Sequence, residues 1–226
     1  MGQMIPPTIA ILGGTGNLGS GLAQRIVATG HPLIIGSRDV DKARSMIATS
    51  GIAIPGAAVS AATNHDAARQ CDIVILTVPF AQQAGLLQEI APDLGSKLVI
   101  DTTVPLVPPK VSIVQLPPAG SAALTAVEAL GGKGRLVTAF HNVSAAKLAK
   151  LEPIDADVLV FGEAEDCREA IAFIARLNIR AFHGGPLQNA VAVEAMTAVL
   201  IGINRRYKVE EGAGIRLTGI ADDPRR

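Results

Sequence analysis

The chain contains no tryptophan and a single tyrosine, Tyr207, and aromatic residues make up only 3% of its 226 positions. Its core must therefore be built from Ala, Val, Ile and Leu, a composition suited to buried parallel strands covered by closely packed helices. Only two cysteines are present, Cys71 and Cys167, far apart and without metal-ligand spacing. No metal site or disulfide framework is expected, and two buried or inert thiols fit a reducing cytoplasm. Charge of either sign is not in excess: 20 basic and 20 acidic residues give a formal net charge of zero. Such a chain has no field to draw a nucleic acid or an anionic membrane surface. The segment from Met1 to Pro7 lacks a signal-peptide apolar core, and Pro6 spoils a myristoylation motif. The longest helical apolar stretch, Ala190 to Ile203, is interrupted by Glu194 and reads as too short to span a bilayer. Internal repeats, low-complexity tracts and long linkers are missing too.

What is present is an alternation of apolar runs and amphipathic stretches, the pattern of a parallel sheet wound by helices. The runs predict strands at 8–12, 33–36, 57–60, 72–78, 97–101, 136–140, 158–162 and 180–183. Helices are predicted at 17–29, 39–49, 64–69, 81–91, 121–130 and 165–177, and a long apolar one at 188–205. The proline-rich segment 105–118 reads as an irregular crossing loop. The expected fold is α/β, a Rossmann-type doubly wound and mainly parallel sheet, with a smaller C-terminal part ending in a long buried helix. Residues 1–150 form the dinucleotide-binding part of this reading, and 151–226 close the cleft. Because the last helix is apolar nearly all round, it must be buried against the sheet or a second subunit, and a homodimer is expected.

The run ending at Leu12 leads into Gly13-Gly14-Thr15-Gly16-Asn17-Leu18-Gly19. In a strand–turn–helix unit Gly14 would permit the tight turn, Gly16 would let the backbone approach a pyrophosphate, and Gly19 would let the helix pack on its strand. The pyrophosphate would sit on the unpaired N–H groups of the helix that follows. A glycine-rich turn without a ligand is the plainer alternative. The second run ends in Gly36-Ser37-Arg38, with Lys42 a helical turn on. NAD-preferring sites usually carry Asp or Glu at that strand end, to accept from the ribose 2′-hydroxyl. Hydroxyl, guanidinium and ammonium instead suit a 2′-phosphate, so the motif reads as NADP(H)-binding; solvated basic side chains are the alternative. Asp39 and Asp41 then cap and charge the next helix N-terminus.

Thr77-Val78-Pro79-Phe80 and Asp101-Thr102-Thr103-Val104 end strands where a doubly wound sheet presents residues to the nicotinamide half, though either segment could be an ordinary strand terminus. Asp101 could be catalytic or could cap a turn. Of the histidines, His31 reads as structural, His65 as exposed and His183 is unassigned, while His141 follows a strand on the ligand edge. No Ser-x-x-x-Lys or Tyr-x-x-x-Lys pair is placed to transfer a proton, and no catalytic residue is named. Reduction of a ketone generally needs a proton donor, whereas hydride passage between two redox coenzymes can dispense with one.

The ordered set Ile11–Gly19, Gly36-Ser37-Arg38 with Lys42, Cys71–Pro79, the His141 segment, Gly185-Pro186-Leu187 and Gly214-Ile215-Arg216 resembles the NADPH-dependent reductases of coenzyme F420, the F420H2:NADP oxidoreductase family. The resemblance runs nearly end to end. It implies reversible hydride transfer between C4 of the nicotinamide and C5 of the deazaflavin, with NADP(H) and coenzyme F420 as the two coenzymes. It further implies that Thr15, Gly16, Asn17 and Leu18 hold the phosphates, and Ser37, Arg38 and Lys42 the 2′-phosphate. Val78, Pro79, Phe80, Val104, His141, Val143 and Ala145 would line the ring pocket, with the tail near Ala213 closing over the deazaflavin. Phe80 and Gln82 stand where members of the family can carry Trp and His. Arg205, Arg206, Lys208 or Arg216 would welcome an acidic deazaflavin tail, or they form a solvated helix end. Rival readings keep an NADPH-dependent reductase but give it another flavin-like or metal-chelate acceptor, or make the chain a non-catalytic NADP(H) redox sensor. A hydroxyacid or imine dehydrogenase is disfavoured by the short C-terminal part.

Overall fold

A computed structural model describes residues 6–220. Four short apolar strands form its centre: β1 (Ile9–Leu12), β2 (Leu33–Gly36), β4 (Ile73–Leu76) and β5 (Leu98–Asp101), each buried at all four positions. Continuous Ile/Val/Leu runs of this kind suit strands covered on both faces. With β3 (Val59–Ala62), β6 (Arg135–Thr138), β7 (Asp157–Gly162) and β8 (Arg180–Gly185) they form one eight-stranded sheet, ordered β3-β2-β1-β4-β5-β6-β7-β8. All neighbours run parallel except β6 and β7.

Alternate residues of each strand face opposite sides, which divides the core in two. Ile9, Ile11, Leu33, Ile35, Ile73 and Ile75 pack with α1 (Asn17–Ala28), α2 (Val40–Thr49) and α7 (Ala164–Arg176). Ala10, Leu12, Ile34, Val74, Leu76 and Val99 pack with α3 (Asn64–Gln70), α4 (Phe80–Leu94) and α5 (Ala122–Leu130). The register places Gly36, Leu12, Leu76, Asp101 and Thr138 side by side, so the segments after β2, β1, β4, β5 and β6 emerge along one edge. The chain leaves β1 for β2 on one side and returns to β4 on the other, and that reversal opens the crevice between β1 and β4.

The one sheet runs across the expected division at residue 150. Buried Arg25 of α1 also ties the two halves: its guanidinium donates to the carbonyls of Leu148 and Leu177 at 2.9 Å each, to Glu152 at 2.8 Å, and to Lys147 and Lys150. A short helix not expected from sequence, α6 (Ala145–Leu148), packs on α1, where Gly21 leaves a Cβ position 3.0 Å from Leu148 Cβ. After a 3-10 turn (Leu187–Asn189), α8 (Ala190–Tyr207) ends the C-terminal part. Turn and helix together, Leu187–Tyr207, span 21 residues, long and apolar enough by length and composition to cross a membrane, which corrects the expectation that the stretch is too short. Within this chain α8 buries Ala190, Val193, Glu194, Ala198 and Leu200, while Met196 and Val199 stay exposed. The tail turns back along β7, where the Asp157 N–H donates to the Ile215 carbonyl at 2.7 Å.

Candidate coenzyme cleft

The crevice at the C-terminal ends of β1, β2, β4 and β5 is a cleft of about 1200 Å³. Its floor at β1 is the glycine turn. The left-handed conformation falls on Gly13, with φ of +73°, and not on Gly14, to which the motif assigned the tight turn. A Cβ on Gly13 would also overlap Val78 Cγ1, so β1's turn and β4's end are fitted to each other through that glycine. Gly14 lies beneath the turn and does not line the cleft: a Cβ there would sit 3.1 Å from the Ile11 carbonyl oxygen. Gly19 packs on it so closely that its own Cβ would approach Gly14 Cα to 2.6 Å. Gly16 differs from both. Only the Gly13 oxygen, at 4.0 Å, lies near its Cβ position, so the backbone here is open to an incoming group. Gly16 is also the N-cap of α1, which has no capping side chain and no acidic residue in its first turn. Its leading N–H groups are available to an anion.

At the end of β2, Ser37, Arg38, Asp39 and Lys42 line the cleft. The Asp39 carboxylate is engaged elsewhere: as N-cap of α2 it accepts from the Lys42 N–H at 3.0 Å. Ser37 Oγ accepts from the Asp39 N–H at 3.1 Å, which orders the turn. Among the described residues no ion pair engages the Arg38 or Lys42 side chain. Two uncommitted cations beside a carboxylate already capping its helix fit a 2′-phosphate.

The other wall comes from β4, α4 and β5. Thr77 donates from its N–H and its Oγ1 to the Leu12 carbonyl, at 2.9 and 3.1 Å, and so holds the β4 end against the glycine turn. Val78, Pro79 and Phe80 follow and line the cleft, with Pro79 as N-cap of α4. Behind them Asp101 is wholly buried. Its Oδ1 accepts from the Thr103 N–H at 3.0 Å and Thr103 Oγ1 at 2.6 Å, and its Oδ2 accepts from Gln83 Nε2. Burial pushes its pKa up to about 6, against the opposing pull of these donors. Asp101 therefore braces the turn that presents Thr102, Thr103 and Val104 to the cleft, and it is not itself a lining residue.

Eleven residues named from sequence thus share this cleft: Thr15, Gly16, Asn17, Leu18, Ser37, Arg38, Lys42, Val78, Pro79, Phe80 and Val104. His141, Val143, Ala145 and Ala213 do not line it, and they cluster instead beyond β6. His141 is 4% exposed, follows Phe140 at φ 67°, and has no hydrogen-bond partner on either ring nitrogen. Burial pulls its pKa down to about 4. Its carbonyl accepts from Thr197 Oγ1 of α8 at 2.7 Å. The tail lies beside the same loop: a Cβ on Gly212 would come within 2.6 Å of Ser144 Cβ, and the Ala213 N–H donates to Asn204 Oδ1 at 2.7 Å. Gln82, which stands where members of the family can carry His, lines the cleft too; sequence reasoning missed Asn64 and the contribution of the proline-rich loop, whose Leu106, Pro108 and Val111 complete one wall.

Residues 8–105, the stretch that builds most of the cleft, match the family model described as NADP oxidoreductase, coenzyme F420-dependent. Over 225 residues the chain is 40% identical to the F420-dependent NADP reductase of Methanothermobacter thermautotrophicus, covering 95% of this chain and 96% of that protein. The chain belongs to the F420-dependent NADP reductase family. A second reductase of that name, from Methanocaldococcus jannaschii, is 36% identical and is covered over 98% of its length. The fold agrees as well: the crystal structure of a candidate F420-dependent NADP reductase from Arthrobacter sp. FB24 matches with a TM-score of 0.76 at 20% identity, over 91% of this chain and 96% of that one. Membership extends through the C-terminal part, so the loop at His141, α8 and the tail belong to the family's length as much as the cleft does.

Proposed function

We propose that this chain transfers a hydride reversibly between NADP(H) and coenzyme F420. The observation that carries the NADP(H) half is the pairing of an open Gly16 with the uncommitted cations Arg38 and Lys42. Family membership over the whole length carries the F420 half. The cleft also exceeds the roughly 300–1000 Å³ usual for one small ligand, which suits two coenzymes lying together.

When bound, the two coenzymes supply the redox chemistry: a hydride passes between nicotinamide C4 and deazaflavin C5. The protein's part is binding, orientation and exclusion of water. The α1 N–H groups and Thr15–Leu18 hold the pyrophosphate, while Ser37, Arg38 and Lys42 hold the 2′-phosphate. Val78, Pro79, Phe80 and Val104 form an apolar wall that keeps the ring edge dry. The readily titratable cleft-lining residues among those described are Asp39, Lys42 and Glu89, and direct transfer between two ring systems asks none of them to act as proton donor. Rate then comes from proximity and alignment, which can supply several kcal/mol of a barrier. His141, Val143, Ala145 and Ala213 are proposed to meet the deazaflavin from the C-terminal side, with the part that begins at residue 151 closing the cleft; of the expected 151–226, residues 221–226 lie outside those described.

Deuterium tests this directly. NADPH labelled at both C4 positions should deliver one deuterium to the deazaflavin, read by mass spectrometry. Label lost to water instead would rule out direct transfer.

The assembly we propose is a homodimer formed through α8. Its Met196 and Val199 are 39% and 44% exposed, and the nearby loop exposes Val107, Ile113, Val114 and Leu116. Glu194 of α8 is engaged inside the protein, which supports a helix packed on protein over one inserted in a bilayer; a cytoplasmic protein without nucleic-acid partners is the reading we propose, in line with a formal net charge of zero. Met196→Asp with Val199→Asp should convert the dimer to monomer in light scattering; an unchanged mass would remove α8 from the interface.

A further inference from the structure

One polar side chain in the cleft has no work to do within the protein. Asn64, the first residue of α3, lines the cleft yet is only 5% exposed. Its Oδ1 is out of solvent without a partner, and among the described residues neither amide atom makes a hydrogen bond. A buried amide left unpaired costs about 1–3 kcal/mol, so a group from outside the protein is the natural partner.

Its position says which part of the coenzyme that is. Gly36 pairs with Ala62 in the sheet, and the Ser37 N–H donates to the Ala62 carbonyl at 3.1 Å, so the β2 and β3 ends are locked together. Asn64 follows two residues later, with its Oδ1 3.1 Å from the place a Gly36 Cβ would occupy. It therefore stands at the floor beside Ser37 and Arg38, at the adenosine end and far along the edge from β5. The helix is not the attraction, since Thr63 Oγ1 already accepts from the Asp66 N–H at 3.0 Å.

The amide's chemistry narrows the group further. An amide can turn over at constant shape, presenting either its oxygen or its NH2 to the cleft. A phosphate pairs with only one of these faces and an amine with only the other. A hydroxyl donates and accepts, so it satisfies both. In a ribose whose 2′ position carries the phosphate held by Arg38 and Lys42, the neighbouring hydroxyl is at 3′. We propose that Asn64 is a further binding residue of the cleft, pairing with the 3′-hydroxyl of the adenosine ribose. The inference rests on the NADP(H) reading of the same site.

The probe is adenosine 2′,5′-bisphosphate, which carries the adenosine half alone, with its 3′-deoxy analogue and its hypoxanthine analogue. Affinities are measured by calorimetry on the full chain and on Asn64→Ala and Asn64→Leu. Loss of one neutral hydrogen bond corresponds to a weakening of about fivefold. The wild-type protein should bind the 3′-deoxy probe about fivefold more weakly than the parent. Both variants should bind parent and 3′-deoxy probes equally, at the weakened level. The comparison within the wild-type protein needs no variant, so it stands even where a variant folds poorly. Equal wild-type affinity for parent and 3′-deoxy probes would overturn the proposal. So would a variant-sensitive loss confined to the hypoxanthine analogue, which would assign the amide to the base. Failure of the wild-type protein to bind the parent probe would remove the NADP(H) reading, and this inference with it.

Discussion

Glu194 on α8 and Ala122 at the start of α5 are joined at 2.6 Å, carboxylate to backbone N–H, and the other carboxylate oxygen accepts from Ala123 at 2.9 Å. One acidic side chain thus caps a helix that is 72 residues away in sequence, in a position 1% exposed to solvent. From Ala122 the contact continues inward. Its carbonyl accepts from Gln83 Nε2 at 3.1 Å, and the same Gln83 nitrogen donates to Asp101 behind the cleft wall. Burial pushes the Glu194 carboxyl above its usual range, opposed by the two N–H donors, and nearby Asp101 adds to the push.

Replacing Glu194 with Ala strands two buried N–H groups, and stability should fall by about 2–4 kcal/mol. Glu194→Gln keeps one acceptor and should cost clearly less. Urea denaturation of both variants checks this. Equal losses would show that one retained acceptor does not stabilise the start of α5.

Two buried groups give opposite pH dependences in one window. Asp101 is raised from 3.8 to about 6, so the native state holds its proton more tightly than the unfolded chain does. Its contribution is present at low pH and is lost as pH rises from about 4 to 6. His141 is lowered from 6.5 to about 4, so its contribution is present above pH 6.5 and is lost as pH falls towards 4. Each amounts to roughly 3 kcal/mol by the usual conversion, and together they largely cancel. Relative to wild type, Asp101→Asn should therefore lose stability on acidification, and His141→Gln should gain it. Denaturation midpoints at pH 4, 5, 6 and 7 give the comparison. Curves parallel to wild type for both variants would contradict the assignment.

How much of this was legible in the sequence depends on what fixed each element. The strands β1, β2, β4 and β5 are buried on both faces, so they appear as bare apolar runs and were located to within a residue or two. Edge strand β3 is VSAA, only half buried, and no apolar run pins its start; it lies two residues later than the pattern suggested. Helix α4 continues through Pro92 to Leu94, three residues past the end expected at 91. Cations at the β2 end were legible because the missing carboxylate is a local feature. Asn64 was not, since Thr63-Asn64 reads as an ordinary helix start. Nor was the wall made by Leu106, Pro108 and Val111, which is set by long-range packing. His141 illustrates the same limit. A strand end on the ligand edge suggested a place lining the cleft, but antiparallel β7 and α8 cover that end of β6.

The glycine turn separates binding from folding. Gly16→Ala meets only the Gly13 oxygen at 4.0 Å, so stability should change by no more than about 0.5 kcal/mol. NADP(H) affinity should nevertheless drop at least about tenfold, because the methyl group occupies the approach to the backbone. Gly19→Ala forces its Cβ to within 2.6 Å of Gly14 Cα and should destabilise the fold by about 1–3 kcal/mol. Melting temperature and calorimetric affinity, measured on both variants, separate the two effects.

Arg38 carries the cofactor preference. Arg38→Ala should weaken NADP(H) by about 1.5–3 kcal/mol, the loss of one charge-assisted bond, and leave NAD(H) nearly unchanged. Equal losses for both nucleotides would move the 2′-phosphate away from the β2 end.

The central claim is the exchange of a hydride between NADP(H) and a deazaflavin in this cleft. Purified protein mixed anaerobically with NADPH and oxidised coenzyme F420 should bleach the deazaflavin absorbance rapidly, and NADH in place of NADPH should leave it nearly intact. Tight NADPH binding with no bleaching would contradict the account.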